Sequence, residues 1–296
     1  MNWRALLLFV FVLCRPAHAQ LLADFSGMAG ISPGLYLMVS DAKNKSKAER
    51  VAVLRWSGGN YRLEPVAVDW NGAPSRDLEG CCSLPGDSAE FLLAESGYFK
   101  GDFGRVLQFR LTHDPQKGWT GKVMHSFQLP PPPRGEDSTA SEQQLEGISA
   151  IPGPKGKPIV IIARRGGAKA PGMLEWGVVE DRRFLVQGTH EVDLRSILGD
   201  RSCADILLVP DGDGWRVFSV ATADPGDVGA FASAVCEVGR FTAVGAYQPL
   251  AKPLLKARCD GLKIEALASA PPSFGPGKFC VGTDDEDYVP VWRVLP

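Results

Sequence analysis

Apolar residues in this chain come in short runs rather than at helical spacing. Val, Ile, Leu, Phe and Tyr gather in stretches such as Leu35–Val39, Val51–Trp56, Phe91–Leu93, Pro158–Ala163 and Trp215–Val220, each bounded by Gly, Pro, Asp or Ser. That pattern predicts β-strands joined by turns, and no stretch after residue 20 sustains a helical period. The 33 Gly and 23 Pro give punctuation for many turns.

The strands recur as a set. Leu78-Glu79-Gly80 opens one set, with strands expected at 91–96, 105–111 and near 123–127. Leu145-Glu146-Gly147-Ile148 opens the next, continuing at 158–163, 173–178 and 183–186. Ala204-Asp205-Ile206 opens another, followed by 215–220, 232–238 and 241–247. Ile264-Glu265-Ala266 opens the last, with 278–281 and 290–294 behind it. At the front, Ala29-Gly30-Ile31-Ser32 resembles Glu146-Gly147-Ile148-Ser149 and leads into 35–39, 51–56 and 61–64. Four-stranded units recurring this way predict an all-β fold, a β-propeller of five four-stranded blades. The last unit has three strands, so the N-terminal segment Leu21–Phe25 is expected to close it as the outer strand. A sixth blade would have to hide in the long second unit, whose excess reads instead as a polyproline linker starting at Pro130–Pro133. A β-sandwich of similar strand count is the competing architecture, but it leaves the recurring restart unexplained.

The first residues bear on compartment. Arg4, an apolar run from Ala5 to Cys14, and Ala17-His18-Ala19 match a cleaved signal peptide over 1–19, leaving 20–296 as a single propeller domain. The apolar run falls short of the roughly 20 residues that span a bilayer. The expected localisation is periplasmic or secreted, with no membrane insertion. Without Arg4 and Arg15 the chain carries 30 basic and 34 acidic residues, a net charge of −4 that gives nucleic acid no reason to bind. A monomer is expected, with a small anionic molecule or a protein as partner.

Six cysteines remain, and an even number in an exported chain predicts disulfides. Cys259–Cys280 is the first expected pair and Cys203–Cys236 the second, with adjacent Cys81 and Cys82 too strained for a direct bridge. There is no C-x-x-C pair to suggest structural zinc.

Candidate chemistry starts from the restarts, four of which carry an acid: Glu79, Glu146, Asp205 and Glu265. In a propeller these would converge on the central channel and repel one another unless protons or a cation compensate. Calcium suits such a set, because it accepts six to eight oxygen ligands in flexible geometry. The alternative is that each acid caps a turn of its own.

Asp77-Leu78-Glu79-Gly80, Leu92–Ser96 and Arg105–Phe109 together resemble the phytase-like propeller family described as having esterase-like activity. Leu35–Asp41 is similar to that family's first-blade strand, Leu145–Ile148 to its Glu-Gly restart, and Ala204–Gly212 to its Ala-Asp stretch. The resemblance implies an exported bacterial propeller that binds metal or acts on phosphate or carboxylate esters. The first restart, with no acid, and Asp205, with no following glycine, depart from the pattern.

Catalytic signatures are sparse. G-x-S-x-G and H-E-x-x-H are absent, and Gly153–Lys157 lacks phosphate-loop spacing and reads as a hairpin turn. His113 and His125 fall in or beside an outer strand and His190 in an inter-blade segment. Arg164 and Arg165 end the second strand of their unit, where Asp41, Glu95 and Asp284 end others. An arginine turned inward there would grip phosphate or carboxylate, and these five residues are the ligand-binding candidates. A glycosidase would need two carboxylates at a set separation, for which Glu79, Glu146 and Glu265 are candidates. Two functions follow: a ligand- or partner-binding scaffold with a channel cation, or a calcium-dependent ester hydrolase.

Overall fold

The computed structural model describes residues 21–42, 49–75, 77–97, 104–129, 143–226, 228–285 and 288–296. The expected leader over 1–19 and the proline stretch from 130 to 142 lie outside those residues. The chain is all-β, in five successive antiparallel units. The first holds β1 (Gly27–Ser32), β2 (Leu35–Val39), β3 (Val51–Ser57) and β4 (Asn60–Asp69). The second holds β5 (Leu78–Ser83), β6 (Glu90–Glu95), β7 (Arg105–Asp114) and β8 (Gly118–Gln128). The third holds β9 (Leu145–Ile151), β10 (Ile159–Arg164), β11 (Gly172–Glu180) and β12 (Arg183–Val192). The fourth holds β13 (Ile206–Asp211), β14 (Gly214–Ala223), β15 (Ala232–Phe241) and β16 (Tyr247–Asp260). The fifth has β17 (Ile264–Ser269), β18 (Phe279–Thr283) and β19 (Trp292–Val294).

Burial explains the sequence pattern. Second strands are covered on both faces, so β2 and β10 are buried throughout and read as continuous apolar runs. The two-residue period then sorts side chains between neighbours. In β2, Leu37 and Val39 pack against Leu78, Phe91 and Leu93 of the second unit, while Tyr36 and Met38 join Ala266, Cys280 and Trp292 of the fifth. In β10, Val160 and Ile162 face the second unit and Ile161 and Ala163 the fourth. A further cluster joins Phe218 and Val220 to Leu267 and Val281, between the fourth and fifth units. Each core layer therefore lies between adjacent units, and the sequence of layers returns to its start. The first strands agree: β1 touches β5, β5 touches β9, β9 touches β13, β13 touches β17 and β17 touches β1.

Fourth strands are exposed on one side, and β12 and β16 show it in their burial. The strand expected at 241–247 is instead β16, starting at Tyr247, and Phe241 belongs to β15. Pro249 and Pro253 disguise β16, yet an exposed edge tolerates the missing N–H groups. Residues Val66–Asp69 of β4 pair in parallel with Trp119–Lys122 of β8, so the outer strands of units one and two are joined directly.

Leu21–Phe25 does not supply the missing outer strand. Leu22 bridges Glu49 of the first unit, and Phe25 donates its N–H to the Thr283 carbonyl at 3.1 Å. The seam between the fifth and first units is closed by side chains instead. Trp292 lies 5.1 Å from Trp56, 5.7 Å from Tyr61 and 6.1 Å from Tyr36, centroid to centroid. Apolar burial at the seam does the work that strand pairing was expected to do.

The expected disulfides are absent: all six cysteines among the described residues are free and buried. Cys259 and Cys280 sit in different core layers. Cys203 and Cys236 lie on opposite sides of β14, because Ala204 bonds to Val220 and Cys236 pairs with Ser219. Two strand spacings, roughly 9.6 Å, exceed the roughly 7 Å limit for a bridge. Burial pushes the Cys82, Cys203 and Cys280 thiols up to about 12, so they act as small apolar groups.

Candidate functional site at the acidic end of the first strands

Three of the restart acids are placed by the same backbone device. Leu78 faces Glu95 and Gly80 faces Ala94, which leaves Glu79 unopposed in a bulge. Glu146 is the extra residue between Leu145, facing Arg164, and Gly147, facing Ala163. Glu265 is the extra residue between Ile264, facing Thr283, and Ala266, facing Gly282. A bulge re-aims the side chain it carries, and here it turns each carboxylate out of the alternation of its strand. Asp205 occupies the matching place before Ile206, which faces Ser219. In the first unit Gly27 faces Val39, so Ser26 holds that place. The expected alignment on Ala29-Gly30-Ile31 is therefore displaced by three residues, since Gly27 and not Gly30 matches Gly147.

The glycine after the acid has a packing cause. A Cβ on Gly27 would lie 2.8 Å from Gly80 Cα, one on Gly80 3.1 Å from the Glu146 carbonyl, and one on Gly147 2.8 Å from Ile206 N. First strands of neighbouring units approach too closely for a side chain, and this closeness gathers the acids.

Once gathered, they divide into two groups. On the side of units three to five, protein cations compensate the charge. Arg201 contacts Glu265 at 3.0 Å and pairs with Asp224. Burial works against its charge, but Glu146, Glu265, Asp224 and Glu79 together hold its pKa above the usual arginine value. Lys263, almost fully buried, lies 3.0 Å from Asp284 and 3.1 Å from Glu265. Arg165 approaches Glu146 at 3.4 Å, and Gln144 donates to the same carboxylate. Asp205 accepts from Ile206 N and Leu267 N, each at 2.7 Å, while its burial drives its pKa well up. Burial also raises Glu265, against the pull of Lys263.

On the side of units one and two the groups are carboxylates packed together. Oxygens of Asp41, Asp77 and Glu79 all lie within 4.8 Å of one another. Asp24 accepts from Ser26 Oγ at 2.9 Å and from the Asp41 N–H at 3.0 Å. Burial, then the charges of Asp41 and Asp284, push the Asp24 carboxyl up to about 8. Ser96 donates to Asp77.

The expected site residues thus separate. Glu79, Glu146, Asp205, Glu265, Asp41, Asp284 and Arg165 fall at this end. Arg164 is engaged elsewhere, bonded to Glu175 at 2.7 Å and to the Gln143 carbonyl at 3.1 Å. Glu95 is held by Arg105 at 2.6 Å and Ser75 at 2.8 Å. The described histidines lie on the sheets. His125 is in β8, His113 of β7 packs on Trp119 of β8, and His190, expected between blades, is in β12 against Tyr247.

Asp24, Asp77, Arg201, Lys263 and Asp224 went unread in the sequence. The first two had a signal, since Asp24-Phe25-Ser26-Gly27 and Asp77-Leu78-Glu79-Gly80 share Asp-x-x-Gly. Gln144, Cys203 and Lys263 hold that first position in the other units.

No protein-family model matches the chain, and no curated protein does. Among solved structures it is similar to a thermostable family-43 glycoside hydrolase, at 12% identity and TM-score 0.52 over 92% of this chain and 88% of that one. It is similar to an exo-1,5-α-L-arabinanase from a bovine ruminal metagenomic library, at 10% identity and TM-score 0.51 over 92% and 93%. A levansucrase of Bacillus subtilis aligns at 9% identity and TM-score 0.53 over 92% and 79%. At these identities the likeness is one of fold, and the fold of these neighbours is the five-bladed propeller.

Proposed function

We propose that the chain is an exported, monomeric five-bladed β-propeller that binds a divalent cation at the acidic end of its channel. The bound cation would present an anionic ligand or partner with a docking face. The observation that carries this reading is the three-carboxylate group of Asp41, Asp77 and Glu79. Oxygens held about 2.4 Å from one calcium ion can stand at most about 4.8 Å apart, and these three lie within that limit. Of the four restart acids first expected to share the ion, Glu79 is in this group, while Glu146 and Glu265 meet cations and Asp205 accepts from two amides. Arg165, Arg201 and Lys263 would meet the anionic group of a ligand bridged by the ion.

The test is thermal unfolding of the protein from residue 20 onward, with calcium and with chelator. A ligand that binds only the folded state adds about 2.7 kcal/mol at a hundredfold excess over its Kd. The expected result is a higher midpoint with calcium and no shift in Glu79→Gln. An unchanged midpoint, with no metal found by elemental analysis, sinks the proposal.

A second reading, hydrolysis, is favoured by one observation. Asp24, whose burial pushes its carboxyl up to about 8, accepts the Asp41 N–H at 3.0 Å, and carboxyl groups in unlike environments divide acid and base roles in hydrolases. The neighbours in fold are glycoside hydrolases, while the family resemblance implies phosphate or carboxylate esters and metal-activated water. Nitrophenyl phosphate, acetate and arabinofuranoside, assayed with and without calcium, separate these substrates. Activity on one of them that disappears in Asp24→Asn would establish hydrolysis, and no turnover of any would leave the binding function.

A further inference from the structure

The first strands enclose a second, chemically opposite space. Beyond their acidic starts they line a cavity of about 340 Å³. Met28 of β1, Cys82 of β5, Ile148 of β9, Leu207 of β13 and Leu267 of β17 each contribute, so all five units build it, and Trp215 closes one side. Among the described residues no charged side chain lines it. Its volume stands at the small end of the roughly 300–1,000 Å³ typical of small-molecule sites.

We propose that this cavity binds a small uncharged molecule with an apolar body. A charged ligand would be desolvated there with no ionic partner among the described lining residues to offset the cost. An apolar one gains roughly 25 cal/mol for each Å² it removes from water. The polar side chains of the lining are few, Tyr36 on the buried side and Ser83, Ser149 and Ser269 towards the opening, with Ser269 exposed. A single hydroxyl or carbonyl at one end of the ligand suits that distribution. The cation site and this cavity use opposite ends of the same strands, so neither reading depends on the other.

Nile red, an uncharged dye that fluoresces in apolar surroundings, is the probe. The expected result is saturable binding that barely changes with salt, because no charge is involved. Ala150→Trp, which fills part of the lining, should weaken it by about tenfold or more. Folding of that variant is checked by its unfolding transition. A second readout needs no variant: the thermal unfolding midpoint should rise when the dye saturates, because the dye binds the folded state. Glu79→Gln should leave dye binding unchanged, which separates this site from the cation site. Absence of saturable binding, or an unfolding midpoint unmoved by saturating dye, overturns the proposal.

Discussion

Glu146 and Ile148 lie two residues apart on β9 and are equally buried, each 2% exposed, yet they are stabilised in opposite ways. Ile148 needs only neighbours of the right shape, which Cys82, Leu92 and Val160 provide. Glu146 needs Gln144, Arg165 and the field of Arg201, because a buried carboxylate without partners is expensive. The same contrast separates the two ends of the first strands in units two to five, where an acid opens the strand; in unit one Ser26 holds that place. Burial alone therefore says little about role: one end stores unlike charges held close together, and the other stores apolar surface. The acidic end can respond to ions and protons, whereas the apolar end can respond only to molecules that shed water.

That contrast can be broken most strongly through the ionic partners. Arg164 and Glu175, both nearly inaccessible, form a bidentate pair between β10 and β11. Glu175→Ala leaves the guanidinium buried without its carboxylate, and denaturant unfolding should show a loss of about 3–5 kcal/mol. A wild-type midpoint would mean that water reaches Arg164.

Next in size is the close approach of the strands. Gly147→Ala places a Cβ against Ile206 N and Asp205 Oδ1, at 2.8 and 3.0 Å, and should cost about 1–3 kcal/mol. Because the clash is with the neighbouring unit, the calcium-dependent shift should weaken along with stability.

Proton linkage sharpens the comparison further. The folded-state pKa of Asp24, about 8, lies above its ordinary 3.8. The folded state then holds a proton that the unfolded chain releases, so this stabilisation is full below about pH 4 and is lost as pH rises through about 8. The slope from this group is at most about 1.4 kcal/mol per pH unit. Asp24→Asn should flatten the fall in stability between those pH values. A variant whose profile parallels the wild type would show that Asp24 ionises normally.

The smallest effect is expected at the other end of β1. Gly30 has open space where a Cβ would go. Gly30→Ala should therefore change stability by no more than about 0.5 kcal/mol. Gly27→Ala, on the same strand but 2.8 Å from Gly80 Cα, should be clearly worse. Equal costs at the two positions would contradict the packing account of the restart glycines.

Much of this could be read before any coordinates. Glu79-Gly80 and Glu146-Gly147 marked first strands correctly, because a bulge that turns an acid inward and a glycine that admits the next strand both constrain residue type locally. The first unit was misread because Gly30-Ile31-Ser32 imitates Gly147-Ile148-Ser149, while the true counterpart, Ser26-Gly27, carries no acid. The role of Leu21–Phe25 was misassigned for a related reason: it makes one bridge to Glu49 and one backbone hydrogen bond to Thr283 rather than a paired strand, and what closes the seam is the packing of Trp56 and Trp292. Arg201 and Lys263 were invisible as site residues because nothing in their local sequence differs from an ordinary loop cation.

The sequence by itself determined the strands, their grouping into five units and the acids that open four of them, since periodicity, turns and bulges are properties of neighbouring residues. Only the tertiary structure decided which acids meet, which cations offset them, that the cysteines stay apart, and that one end of the first strands is ionic and the other apolar. Those outcomes depend on distances between units far apart in the chain, and such distances are set by the packing of whole layers.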